Sequence, residues 1–200
     1  MPGHIALITE DSPTEVLATR ILAHVDPEAT FSPRLGRKGL GHVVSRLRGL
    51  NQAASGMKIV AIADRDTIQN CPIDLVHRWL GGPPHPNLVV RFAEMEAESW
   101  IMADCERLAD FLDVQQNRIP TSPDTVAHPK EMLVNIARLS RNRRIREDMC
   151  PPKGATSLVG PNYNSSLELF LRTRWRISSA IKASPSLCRA ESRIRELAFR

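Results

Sequence analysis

Asp64 and Asp66 stand one residue apart at the end of the apolar run Ile59-Val60-Ala61-Ile62-Ala63. Side chains alternate between faces along a strand, so both carboxylates leave the C-terminal end of this run on the same side, where they can share one hard cation. A second apolar run, Ile5-Ala6-Leu7-Ile8-Thr9, ends in Glu10 and Asp11. If both runs are strands of one parallel sheet, their acidic ends meet at the edge where open α/β sheets bind ligands. Mg²⁺, or Mn²⁺ in its place, takes oxygen ligands and keeps several waters, so two or three carboxylates suffice to hold it beside a phosphate. Acidic residues also follow strands as helix caps, and spacing alone leaves both readings open.

Further groups of the same kind lie later in the chain. Glu94, Glu96 and Glu98 alternate at the end of a third apolar run, Asn87 to Phe92. Read as a strand, they put three carboxylates on one face, where a cation would relieve their repulsion; a solvent-facing edge is the alternative. His128 is either a proton shuttle or a residue at a helix start. Arg138, Arg141, Arg143, Arg144 and Arg146 form the densest basic run. Arg141 and Arg144 share one helix face with Arg138, and are the pair expected to meet nucleic acid if the run does more than solvate a surface. The loop 29–42 carries Arg34, Arg37 and Lys38 among glycines; Arg37 and Lys38 could line a phosphate path, although a plain loop fits equally. Trp79, Trp100 and Trp175 are not interleaved with the basic run and read as packing residues.

The elements that must position these groups follow from periodicity. Strands over 5–9, 57–63 and 87–92 alternate with helices over 13–25, 40–50 and 74–80, a pattern of parallel strands with crossover helices. Ser12 and Glu15 suggest a capping box for the first helix. From Glu94 onward helices dominate, over 97–113, 128–139, 141–148, 163–182 and 187–198, with breaks at prolines and glycines. The expected fold is therefore α/β, a mainly parallel sheet flanked by helices, comprising a core of residues 1–115 and a helical C-terminal part, 116–200, packed on it.

The 200 residues are 42% hydrophobic and 24% charged, an ordinary globular composition. No apolar run approaches the roughly 20 residues of a membrane span, and no signal peptide opens the chain. Cys71, Cys105, Cys150 and Cys188 show neither zinc nor disulfide spacing, which suits a reducing cytoplasm. Charge is unevenly spread: residues 1–100 hold 10 Lys/Arg against 11 Asp/Glu, and residues 101–200 hold 17 against 11. A basic half beside an acidic centre suits a polyanionic substrate drawn to a metal.

A Glu after the first strand and an Asp-x-Asp after a later one resemble the TOPRIM (topoisomerase–primase) pattern, a Rossmann-like fold. More closely, the chain resembles a bacterial family of TOPRIM-like proteins related to the overcoming-lysogenization-defect nucleases and often encoded beside ATPases. The segments that carry this likeness are Glu96-Ala97-Glu98-Ser99-Trp100, His128-Pro129-Lys130-Glu131, Gly160-Pro161-Asn162-Tyr163-Asn164 and Ser184-Pro185-Ser186-Leu187. The resemblance implies that Glu10 is a general acid/base or metal ligand and that Asp64 and Asp66 bind Mg²⁺. Glu96 and Glu98 would complete a second metal position, and Lys130 would stabilise charge on the phosphate. One departure stands out: many TOPRIM proteins have Gly after the first Glu, where this chain has Asp11.

Three functions are compatible with these residues. One is a Mg²⁺-dependent nuclease of TOPRIM type acting on DNA or RNA, working with a partner ATPase and serving in anti-phage defence. Another is a non-catalytic TOPRIM-like subunit of an ATPase. The third is a haloacid-dehalogenase-type phosphatase with Asp64 as nucleophile, in which the Glu10 strand would have no role.

Overall fold

The computed structural model describes residues 4–65 and 71–200. Among these residues four strands, β1 (His4–Thr9), β2 (Thr30–Arg34), β3 (Lys58–Arg65) and β4 (Leu88–Glu94), form one wholly parallel sheet in the order β2-β1-β3-β4. Ile5 to Thr9 of β1 lie opposite Lys58 to Ile62 of β3, and Asp64 of β3 lies opposite Ala93 of β4. β1 and β3 are buried on both faces, which is why they read as unbroken apolar runs.

Helices cover both faces. Ala6, Ile8, Ile59, Ala61 and Phe92 pack on α2 (Leu40–Ala53) and α3 (Pro72–Leu80). Ile5, Leu7, Val60, Ile62 and Val89 pack on α1 (Ser12–Val25) and on the helices that follow the sheet. These are α4 (Glu98–Met102), α5 (Cys105–Leu112), α6 (Pro129–Arg138), α7 (Arg143–Met149), α8 (Tyr163–Thr173), α9 (Ile177–Ala183) and α10 (Pro185–Ala198). Leu108 and Leu112 on one side of residue 115, and Leu133, Phe170 and Ile194 on the other, belong to one continuous apolar core with the sheet. The chain leaves β1 through α1 on one face to reach β2, then returns past β1 to β3, whose next helix lies on the opposite face. The carboxyl ends of β1 and β3 thus flank a topological switch point.

Several local expectations are corrected. The loop read over 29–42 contains β2, an edge strand in which only Phe31 is buried, so no alternation marks it. Helix α1 is capped by Asp11, whose side chain accepts from the Thr14 amide at 2.9 Å, rather than by Ser12. The helix expected over 97–113 breaks at Asp104, and that over 163–182 breaks at Arg174 to Arg176. The two breaks are joined: buried Asp104 accepts from the Arg176 amide at 2.7 Å and from its guanidinium at 2.8 Å. Among the described residues no helix is long and apolar enough to cross a membrane.

Candidate functional site

Glu10 follows β1 directly, and its Oε1 accepts from the Asp64 amide at 2.6 Å, tying the carboxyl ends of β1 and β3 together. Asp64 Oδ1 in turn accepts from the Ala97 amide at 2.8 Å, at the entry to α4. The third strand's end behaves differently from the sequence expectation. β4 stops at Glu94, and Met95 takes a positive φ of 64°, so Glu94, Glu96 and Glu98 do not alternate on one strand face. Glu94 instead pairs with Arg65 at 2.7 Å. The turn at Met95 carries Glu96 and Glu98 on toward α6.

There Lys130, on the first turn of α6, meets them. Its backbone amide donates to Glu96 Oε2 at 2.7 Å, and its ammonium lies 3.6 Å from Glu96 and 3.8 Å from Glu98. Glu98 is 5% exposed and also accepts from the Tyr163 hydroxyl at 3.0 Å. Tyr163, the only tyrosine of the chain, was not singled out from the sequence, although it sits in one of the segments that carry the family likeness. Its placement depends on Gly160, where a Cβ would meet the Asp148 carbonyl at 2.5 Å. This close approach lets Asn162 bond Asp148 at 2.8 Å and opens α8 at Tyr163.

The site is rich in carboxylates and poor in cations, with electrostatic consequences. Burial, together with the negative charges of Glu10 and Glu98, pushes the Asp64 carboxyl up to about 9. Burial likewise raises Glu98 to about 7, with Glu96 adding to the effect and Lys130 opposing it. Burial alone would lower the Lys130 ammonium, but Glu98, Glu96 and Asp64 outweigh it and the net shift is upward. Lys130 is therefore a fixed positive charge.

Asp11, at the position where glycine is often found, has φ −140°, a conformation any residue adopts, and serves as the α1 cap. Around it, the loop after β2 lies against β1: the amides of Leu35, Arg37 and Gly39 donate to the carbonyls of Leu7, Thr9 and Glu10. Gly36 permits this, because a Cβ there would stand 2.3 Å from the Thr9 carbonyl oxygen. Arg37 grips buried Glu15 with two nitrogens, at 2.7 and 2.8 Å, with Arg34 3.1 Å away. These three charges hold the loop and were not foreseen as a group.

Of the remaining candidates, Asp66 lies outside the described residues. Lys38 is exposed on the loop beside Arg37. Arg141 and Arg144 are exposed; Arg144 faces Asp148 at 3.5 Å, and neither is brought to the carboxylates by any contact of the structure. Trp100 and Trp175 are core residues, and Trp79 packs edge-on against Phe92 with ring centres 5.4 Å apart.

The chain matches no family model, no curated protein and no solved structure. Among the described residues no three His, Cys, Asp or Glu side chains already stand as a metal-holding group. The donor chemistry nevertheless fits a hard divalent cation. The donors are carboxylate oxygens, and the carboxyls of Asp64 and Glu98 are held above their ordinary range by crowding and burial that a cation would offset. Asp64 is also oriented by its bond from Ala97, as ligands commonly are by their neighbours.

Proposed function

We propose that this protein is a metal-dependent nuclease of TOPRIM type, hydrolysing phosphodiester bonds of DNA or RNA, working with a partner ATPase and serving in anti-phage defence. The observation that carries the reading is the 2.6 Å bond between Glu10 and the Asp64 amide, which brings the acidic ends of β1 and β3 to one point of the switch edge. Glu10 and Asp64, with Glu96 and Glu98 beside them, would hold Mg²⁺ or Mn²⁺. When bound, such an ion supplies charge stabilisation at the phosphoryl oxygens and acidifies water.

The chain's own groups have separate tasks. Glu10 would take or return a proton at the switch edge, where its carboxylate accepts from the Asp64 amide. Lys130 presents an ammonium beside Glu96 and Glu98, where it can neutralise charge that develops on a phosphate. The basic second half of the chain attracts the polyanion. The contact between Glu10 and Asp64 also favours this reading over a phosphatase with an Asp64 nucleophile, in which the β1 end has no part.

The test is cleavage of labelled DNA and RNA with Mg²⁺ or Mn²⁺, by the protein alone and with an ATPase that co-purifies with it. Glu10→Ala and Asp64→Asn proteins that melt as the wild type does should lose cleavage. Undiminished wild-type cleavage in EDTA would refute the proposal.

A further inference from the structure

A groove of about 440 Å³ opens beside the carboxylate centre, with Glu96 and Lys130 at its inner end. One wall is a single face of α6. Lys130, Val134 and Arg138 are spaced four residues apart, so a helix stacks them in a line running away from the centre. The other wall is the irregular segment 151–158, which brings Lys153 and Leu158 to face that line. Leu158 is 80% exposed. Among the described residues, neither Arg138 nor Lys153 forms an ion pair with a carboxylate; Arg138 donates to the neighbouring Asn135 side chain at 3.2 Å and interacts with the Cys150 thiol. The groove's three cations face two carboxylates, Glu96 and Glu131, and Glu96 is already bonded to Lys130.

We infer that this groove is the binding site for an unpaired nucleotide of a single nucleic-acid strand, held next to the bond that the centre would cut. The inference rests on the nuclease reading for the last clause only. A duplex would offer the groove nothing but its backbone, because its bases are stacked inside; an unpaired base can leave the strand and lie on apolar surface. The groove has both parts that such a nucleotide needs. Arg138 and Lys153 provide charge for the phosphates, while Val134 and the exposed Leu158 provide apolar surface that a phosphate alone would not use. Its volume falls within the ~300–1,000 Å³ of small-ligand sites, suited to one nucleotide.

The experiment measures fluorescence anisotropy of a labelled oligothymidylate, alone and annealed to oligoadenylate, with the full chain in EDTA so that no cleavage intervenes. The single strand should bind roughly tenfold more tightly than the duplex, and Arg138→Ala with Lys153→Ala should weaken single-strand binding by about tenfold. Leu158→Ser should weaken single-strand binding and leave duplex binding unchanged. Arg172→Ala with Lys182→Ala, on α8 and α9, removes the same charge elsewhere and should bind as the wild type does. Equal affinity for the two forms, or a groove variant binding like that control, would overturn the inference. Binding that follows the groove residues without any cleavage in Mg²⁺ would instead remove the nuclease reading and leave the groove standing. Cleavage with groove variants that bind normally would do the reverse.

Discussion

The Tyr163 hydroxyl donates to Glu98 at 3.0 Å across 65 residues of sequence, joining the start of α8 to the start of α4. Tyr163 is 2% exposed and Glu98 5%, so each is the other's means of satisfying a polar group withdrawn from water. Tyr163→Phe keeps the ring and deletes the donor, leaving one Glu98 oxygen without it. The loss should be about 1–3 kcal/mol in urea unfolding, the usual range for an unmade buried hydrogen bond. A Tyr163→Phe protein as stable as the wild type would show that water reaches Glu98.

Asp64 and Glu98 also make stability depend on pH in an identifiable direction. Their folded values, about 9 and about 7, lie above the ordinary 3.8 and 4.5. Between those limits the folded protein holds more protons than the unfolded chain, so stability falls as pH rises through this window. Melting curves in EDTA should therefore shift downward from about pH 5 to about pH 9. Asp64→Asn should flatten most of that slope, and Mg²⁺ should raise the alkaline melting temperature, since a ligand binding only the folded state stabilises it. A melting temperature that climbs with pH in EDTA would contradict the assignment.

Glu15 behaves in the opposite way. Its carboxyl is held below its ordinary value chiefly by the hydrogen bonds from Arg37, with Arg34 assisting against the opposing effect of burial. That contribution is present above the unfolded value of 4.5 and is lost as pH falls through the lower folded one. Glu15→Gln keeps the size but removes the charge that both guanidinium groups face. Stability should drop by about 1–3 kcal/mol near neutrality, and the difference from wild type should shrink in acid.

Gly36→Ala is expected to be severe for its size. A Cβ 2.3 Å from the Thr9 carbonyl oxygen meets backbone rather than a side chain that can turn away, so β1 or the loop must shift. The cost should exceed about 2 kcal/mol, and calorimetric Mn²⁺ binding should weaken because Glu10 follows Thr9. Unchanged melting and metal binding would mean that the loop is displaced without cost.

The fold was legible where burial shaped composition. β1, β3 and β4 appear as apolar runs because a parallel sheet covered by helices buries both of their faces. β2 did not, because it lies at the sheet edge with only Phe31 buried. The meeting of Glu10 and Asp64 could be anticipated from where the two runs end. The Glu94-Met95-Glu96 segment could not: its alternating letters imitate a strand, while a left-handed Met95 ends the strand and sends Glu96 toward Lys130. Tyr163, Gly36 and the Glu15–Arg37 pair were hidden for another reason. Each acts through a contact distant in sequence or through backbone proximity, neither of which leaves a periodic trace.

The short segment from Glu96 to Asp104 is fastened at four points to later parts of the chain. Glu96 holds Lys130, Glu98 holds Tyr163, Trp100 donates to Ser186 at 2.6 Å, and Asp104 holds Arg176. All four strands are synthesised before any of these fasteners. The carboxylates of Glu96 and Glu98 thus stay unsecured after the strands have been made, until Lys130 of α6 and Tyr163 of α8 follow them out of the ribosome. The order of translation itself sets the securing of the centre after the synthesis of the sheet that carries it.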